Sequence, residues 1–114
     1  MLKVGLIGAG TMGNTHHRAY RQLTDARITA VCDIDAGKAS RIAEQWGAKS
    51  YDSLEAMLSE GDFDAVDICL PTDLHRWAAE LSAARGKHVF CEKPIALTAD
   101  DAEAMIAACR QAGV

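Results

Sequence analysis

The feature that most constrains this chain is a run of glycines at the end of its first apolar segment. Leu2, Val4, Leu6 and Ile7 form a short hydrophobic run, and Gly8-Ala9-Gly10-Thr11-Met12-Gly13 follows at once. A stretch with helical character begins near Thr11. A strand that stops on glycines and turns into a helix predicts the opening of a dinucleotide-binding unit. Gly8 permits the tight turn out of the strand. Gly10, lacking a Cβ, lets a pyrophosphate approach the backbone, and Gly13 lets the helix pack close to the strand. The phosphates then meet free N–H groups at the positive end of that helix.

The rest of the chain alternates in the same manner. The first strand is Lys3 to Ile7, and its helix runs from Thr11 to about Leu23, with a turn over Thr24-Asp25-Ala26. A second strand, Ile28 to Cys32, ends at Asp33. Asp35 caps a helix to Trp46 that stops on Gly47. Lys49 to Tyr51 reads as a short third strand, and Asp52 or Ser53 caps a helix to about Ser59. Ala65 to Leu70 reads as a buried parallel strand despite Asp67. Pro71-Thr72-Asp73 breaks it and opens a helix to about Arg85, ended by Gly86. Lys87 to Cys91 is the fifth strand. Thr98 or Asp100 caps the last helix, where Ala102, Met105, Ile106 and Cys109 keep the i, i+3, i+4, i+7 spacing and Gly113 is the stop. Five strands in strict alternation with helices predict an α/β fold: a doubly wound parallel sheet of the Rossmann type, in order 3-2-1-4-5, truncated before a sixth strand.

At 114 residues the chain has room for one domain, and 49% apolar residues supply a core. A net charge of -4 gives no electrostatic case for nucleic acid or an anionic membrane. No apolar run approaches the roughly 20 residues that span a bilayer, and no signal peptide is visible, so a cytoplasmic protein is expected. The four cysteines, Cys32, Cys69, Cys91 and Cys109, include no C-x-x-C pair. They read as small buried hydrophobes in a reduced compartment, and no metal site is expected.

Asp33 lies twenty residues beyond Gly13, at the end of the second strand. A carboxylate there accepts hydrogen bonds from the adenosine ribose hydroxyls. It also disfavours a 2′-phosphate, and Ile34 offers no compensating cation. A charged hydrogen bond contributes roughly 1.5–3 kcal/mol, or about one to two decades of preference for NAD over NADP. Lys38 and Arg41 read as the solvated face of the following helix. A methyltransferase that binds S-adenosylmethionine shares a glycine-rich turn and an acidic residue after strand two, so these features alone leave that class open.

Two later stretches narrow the choice: Ile68-Cys69-Leu70-Pro71-Thr72-Asp73-Leu74-His75 and Gly86-Lys87-His88-Val89-Phe90-Cys91-Glu92-Lys93-Pro94. Together with Gly8 to Gly13 they resemble the Gfo/Idh/MocA oxidoreductases, which include glucose–fructose oxidoreductase and inositol dehydrogenase. The Glu-Lys-Pro after the Gly-Lys-His-Val strand is the most specific part, and it argues against the methyltransferase. The resemblance spans the whole chain but only the amino-terminal half of such an enzyme. It implies that Gly8, Gly10, Thr11, Met12 and Gly13 hold the pyrophosphate. Asp33 and Ile34 flank the adenosine, and Leu70, Pro71, Thr72 and His75 line the path to the nicotinamide ribose. Glu92 and Lys93 sit beside the nicotinamide, with Lys93 the catalytic group that reaches the substrate hydroxyl. An ammonium there can stabilise developing alkoxide charge or relay a proton.

The histidines are less committed. His16 and His17 read as surface or packing residues, and His88 as a core or sheet-face residue. His75 can cap, pack or touch the cofactor. The expected function is the cofactor half, residues 1–114, of an NAD-dependent dehydrogenase that moves hydride between nicotinamide and a sugar, cyclitol or polyol hydroxyl. Its partners are a dinucleotide and, in the complete enzyme, that substrate. The substrate domain of such enzymes is absent from these residues, so the active site is expected to be incomplete and the exposed sheet edge to drive self-association. A non-catalytic nucleotide-binding module is the alternative.

Overall fold

The computed structural model describes residues 1–114. At the centre of the sheet lies β1 (Leu2–Ile7), between β2 (Ala26–Cys32) and β4 (Ala65–Ile68). Beyond β2 is β3 (Lys49–Tyr51), and beyond β4 is β5 (His88–Cys91), so the order is the expected 3-2-1-4-5. All four pairings are parallel. The helices are α1 (Thr11–Tyr20), α2 (Ala36–Trp46), α3 (Leu54–Glu60), α4 (His75–Ala84) and α5 (Ala99–Ala112).

Strand alternation divides the core in two. Leu6, Ile28 and Val31 face one side, where Ala39, Ile42 and Ala43 of α2 and the Tyr20 ring of α1 cover them. Ile7, Ala30, Cys32, Val66 and Ile68 face the other, against Leu54, Met57 and Leu58 of α3, Ala78 and Ala79 of α4 and Met105 of α5. Burial of aliphatic faces on both sides is what holds a parallel sheet of this kind together. Side-chain caps start three helices: Asp35 accepts from Gly37 and Lys38, Ser53 from Ala56, and Thr98 from Asp101. Gly47 and Gly113 close α2 and α5 in the left-handed conformation.

Several boundaries differ from the sequence reading. The first helix stops at Tyr20, because Gln22 and Leu23 turn back onto the Ala19 and Tyr20 carbonyls. Ala26 is a buried strand residue paired with Leu2 and is not part of the turn. The fourth strand ends at Ile68, two residues early, and Thr72–Leu74 forms a 3-10 turn before α4. The fifth strand begins at His88, which is exposed: Val89 and Cys91 pack on the core, whereas Phe90 faces the α1 side at the sheet edge, its ring centroid 6.2 Å from that of His16. Phe90 is accordingly 61% exposed. On α5 only Met105 is buried, and Ile106 is 44% exposed. Of the cysteines only Cys32 is fully buried. No helix is long and apolar enough to cross a membrane.

Burial pushes the Cys32 thiol up to about 12, with Asp33 adding to the effect. The unfolded thiol ionises near its ordinary value of 9.0. The stability contributed by the neutral buried thiol is therefore complete below that value and is lost as pH rises toward the folded one. The melting temperature should fall between about pH 9 and 11. In Cys32→Ala the fall should be shallower, although the variant starts lower from its cavity. Thermal denaturation followed by circular dichroism checks this, and an unchanged slope would contradict it.

Candidate functional site

The turn after β1 is shaped by three glycines with three different constraints. Gly8 has φ +100°, its N–H donates to the Cys32 carbonyl at 2.8 Å, and a Cβ on it would lie 2.6 Å from the Cys69 carbonyl oxygen. A Cβ on Gly13 would run into the Gly8 carbonyl, which is why α1 can sit directly against the strand end. Gly10 differs: its φ is -82°, and a Cβ there would meet nothing within 4 Å. The missing side chain leaves open volume in front of the backbone. Unlike α2, α3 and α5, α1 has no side-chain cap. Its first-turn N–H groups thus face that volume unused, an anion cradle. Asn14 fixes the turn from behind, donating to the Ala9 carbonyl at 3.1 Å and the Gly10 carbonyl at 2.8 Å.

Asp33 is tied to the same turn. Its Oδ2 accepts the Ala9 N–H at 2.8 Å, and its Oδ1 accepts the Asp35 N–H at 2.8 Å. Each carboxylate oxygen keeps a further lone pair for an incoming hydroxyl. Beside it opens a groove of about 550 Å³ lined by Asp33, Ile34, Leu70, Pro71, Leu74 and Trp77. Ile34 is 95% exposed, an apolar lip on this groove. A second groove of about 600 Å³ runs between α1 and α2 past Gly10 and Thr11, where Arg18, Lys38 and Arg41 gather. The glycine turn lies at the junction of an apolar groove and a basic one. The open volume that a Cβ at Gly10 would fill, the uncapped helix end and the Asp33 carboxylate fit a dinucleotide.

Farther along the sheet edge, the Glu92 N–H continues the β4–β5 ladder by donating to the Ile68 carbonyl at 3.0 Å. Lys93 follows, exposed, before a cis Lys93–Pro94 peptide. Thr72 is half-buried in the 3-10 turn, and Thr11 and Met12 lie exposed in the first turn of α1. His75 is the expected cofactor contact that the structure turns away. It is 1% exposed, with Nε2 2.9 Å from the Leu70 carbonyl and Nδ1 3.1 Å from the Ile95 carbonyl. Both nitrogens are engaged by backbone, so it braces the two loops against each other and has no polar atom to offer a ligand.

Three contributors escaped the sequence reading. Trp77 and Asn14 carry no motif of their own. His16 was read as a surface or packing residue, yet it joins Asp67 to Glu92, with Nδ1 2.8 Å from Asp67 Oδ2 and Nε2 3.1 Å from Glu92 Oε2. The available signal was Asp67 itself, since a carboxylate inside an apolar strand requires a polar partner.

The glycines make separable predictions. Gly10→Val should abolish NAD(H) binding and leave the melting temperature within about 2 °C, since the turn has space for the side chain but the ligand then does not. Gly8→Ala should instead destabilise the fold by about 1–3 kcal/mol or more, through positive φ and the Cys69 contact. Calorimetric titration beside thermal melts checks both. Binding retained by Gly10→Val would show that no phosphate crosses this turn.

Residues 2–114 match the family model GFO_IDH_MocA, described as an oxidoreductase family with an NAD-binding Rossmann fold. The chain is 41% identical over 113 residues to D-apiose dehydrogenase of Paraburkholderia graminis, a match covering 98% of this chain and 30% of that protein. It is 40% identical over 105 residues to inositol 2-dehydrogenase of Rhizobium meliloti, covering 92% of this chain and 32% of that one. Among solved structures, the WlbA dehydrogenase from Bordetella pertussis, in complex with NADH and UDP-GlcNAcA, superposes with a TM-score of 0.94 at 35% identity. That superposition covers 99% of this chain and 34% of the other. The chain therefore spans about a third of the length of the relatives it matches. With the glycine turn, Asp33 and the Glu92-Lys93-Pro94 loop on one edge of a 3-2-1-4-5 sheet, the chain belongs to the Gfo/Idh/MocA oxidoreductase family as its NAD-binding Rossmann domain.

Proposed function

We propose that this chain binds NAD(H) as the cofactor half of a cytoplasmic dehydrogenase acting on a hydroxyl of a sugar, cyclitol or polyol. The observation that carries the reading is the 2.8 Å contact between Asp33 and the Ala9 N–H, beside the open volume at Gly10. That contact ties the Asp33 carboxylate to the open turn, which supports a ribose acceptor beside a phosphate cradle. The first-turn N–H groups of α1 bind the pyrophosphate, and Asp33 accepts from the adenosine ribose. Leu70, Pro71 and Trp77 give the adenine an apolar wall, and Thr72, Glu92 and Lys93 serve the nicotinamide end. When bound, the nicotinamide supplies hydride acceptance and return at C4. As an ammonium, Lys93 steadies charge on the substrate oxygen; as the neutral amine, it accepts the hydroxyl proton and becomes that ammonium. The substrate class rests on the relatives, one acting on apiose and one on inositol by name.

NAD(H) should bind more tightly than NADP(H), because a 2′-phosphate meets the Asp33 carboxylate and Ile34, whereas Lys38 and Arg41 line the other groove, between α1 and α2. Asp33→Ala should lower NADH affinity by about 1–3 kcal/mol and narrow the gap between the two cofactors. Cofactor fluorescence or calorimetry reads both effects, and equal or tighter NADP(H) binding by the unaltered chain would overturn the assignment.

The same chain alone should bind NADH yet turn over polyols and sugars negligibly. Lys93 is exposed, and holding a substrate carbon against C4 can supply about 7–11 kcal/mol of the barrier. The free edge of β5 and the Phe90 side should also favour self-association. Steady-state assays with a polyol panel and light scattering test the two halves, and robust turnover by a monomer would contradict both.

A further inference from the structure

Asp67 is fully buried between Val66 and Ile68, in the middle of the sheet. Such a carboxylate is stable only where donors surround it. His16 reaches it from α1, with Nδ1 2.8 Å from Oδ2. The Cys69 thiol donates toward Oδ1 at 3.5 Å and lies 3.3 Å from His16 Nδ1, and Tyr20 of α1 lines the same side. The opposite edge of the His16 ring meets Glu92 Oε2 at 3.1 Å. The two ring nitrogens thus bridge the two carboxylates, one on each edge of the ring. Anchored on a buried residue, His16 is a rigid link from the sheet centre to the residue preceding Lys93.

The link joins two ends of one site. His16 lies five residues after Thr11, about 7.5 Å along the helix whose first turn is the phosphate cradle. Glu92 begins the loop proposed above to face the nicotinamide. Its backbone is held by the Ile68 carbonyl, and its side chain is held by His16. We infer that His16 is a positioning residue that sets the distance between the pyrophosphate cradle and the nicotinamide-facing loop, acting through Glu92. This inference rests on the proposed cofactor reading and adds a residue to it. The competing role is purely structural, with His16 holding α1 on the sheet through its hydrogen bond to Asp67. That role affects every ligand of α1 alike, whereas positioning through Glu92 affects only the nicotinamide half.

Calorimetry of the full 114-residue chain with ADP-ribose and with NADH separates the two. ADP-ribose engages the glycine turn and Asp33, and NADH adds the nicotinamide half. In His16→Gln, NADH should bind about tenfold more weakly while ADP-ribose stays within about twofold. Glu92→Gln spares the His16–Asp67 contact that holds α1 on the sheet and keeps the measurement available if His16→Gln does not fold. It should show the same selective loss, and adding His16→Gln to it should change the NADH to ADP-ribose ratio no further. Parallel losses for both ligands, no loss for NADH, or additive effects would overturn the inference. So would an unaltered chain that binds ADP-ribose and NADH equally, which leaves the adenosine half of the cofactor reading standing. An unaltered chain that binds neither contradicts the cofactor reading itself.

Discussion

The structure turns on how tightly the backbone around Gly8 is enclosed. Its N–H is bonded to β2 through the Cys32 carbonyl, the Cys69 carbonyl just past β4 fills the space a Cβ would need, and Gly13 packs against the Gly8 carbonyl. The next N–H, that of Ala9, is held by Asp33. Three strands and one helix meet at a single residue with φ +100° that lacks a side chain. The position of the α1 N-terminus relative to Asp33 is therefore set by backbone contact, which is stiffer than any side-chain contact. The groups proposed to take the phosphates and the ribose are thus pre-arranged, which leaves little ordering to oppose binding.

Polar groups inside the domain repeat this theme at longer range. His16 ties α1 to β4 and to the loop after β5. His17 is buried on α1 beside Trp46 of α2, whose indole N–H points to its Nδ1 at 3.4 Å. Burial lowers the His17 pKa, and the neutral ring can accept that donor. His75 joins the loop after β4 to the loop after β5. In each case an imidazole with two usable nitrogens spans two elements that aliphatic packing alone would let slide. The loop bearing Lys93 is held on one side by His16 through Glu92 and on the other by His75 through Ile95.

What could be read from the sequence was whatever depends on local spacing. The turn at Gly8, the close approach at Gly13, the cap at Asp35, the stop at Gly47 and the place of Asp33 just past β2 are all set within a few residues or one βαβ unit, and the structure has them as expected. The strand order followed from alternation and handedness. What escaped depends on distant partners. His16 meets residues 51 and 76 positions away, so nothing near it in the chain marks it as a bridge. His75 looked available because it stands near a helix start, but the Ile95 carbonyl twenty residues on claims its second nitrogen. Periodicity promised Ile106 a buried place, yet burial also needs something on the other side, and past β5 nothing covers it.

The most direct measurement is a map of backbone amide shifts during titration of the chain with NAD+. The account predicts the largest changes at Gly10 to Gly13 and at Asp33 and Ile34, with a second set at Glu92 and Lys93. Saturable binding whose changes fall elsewhere, for example on the outer face of α5 around Glu103 and Gln111, with the glycine turn silent, would contradict it.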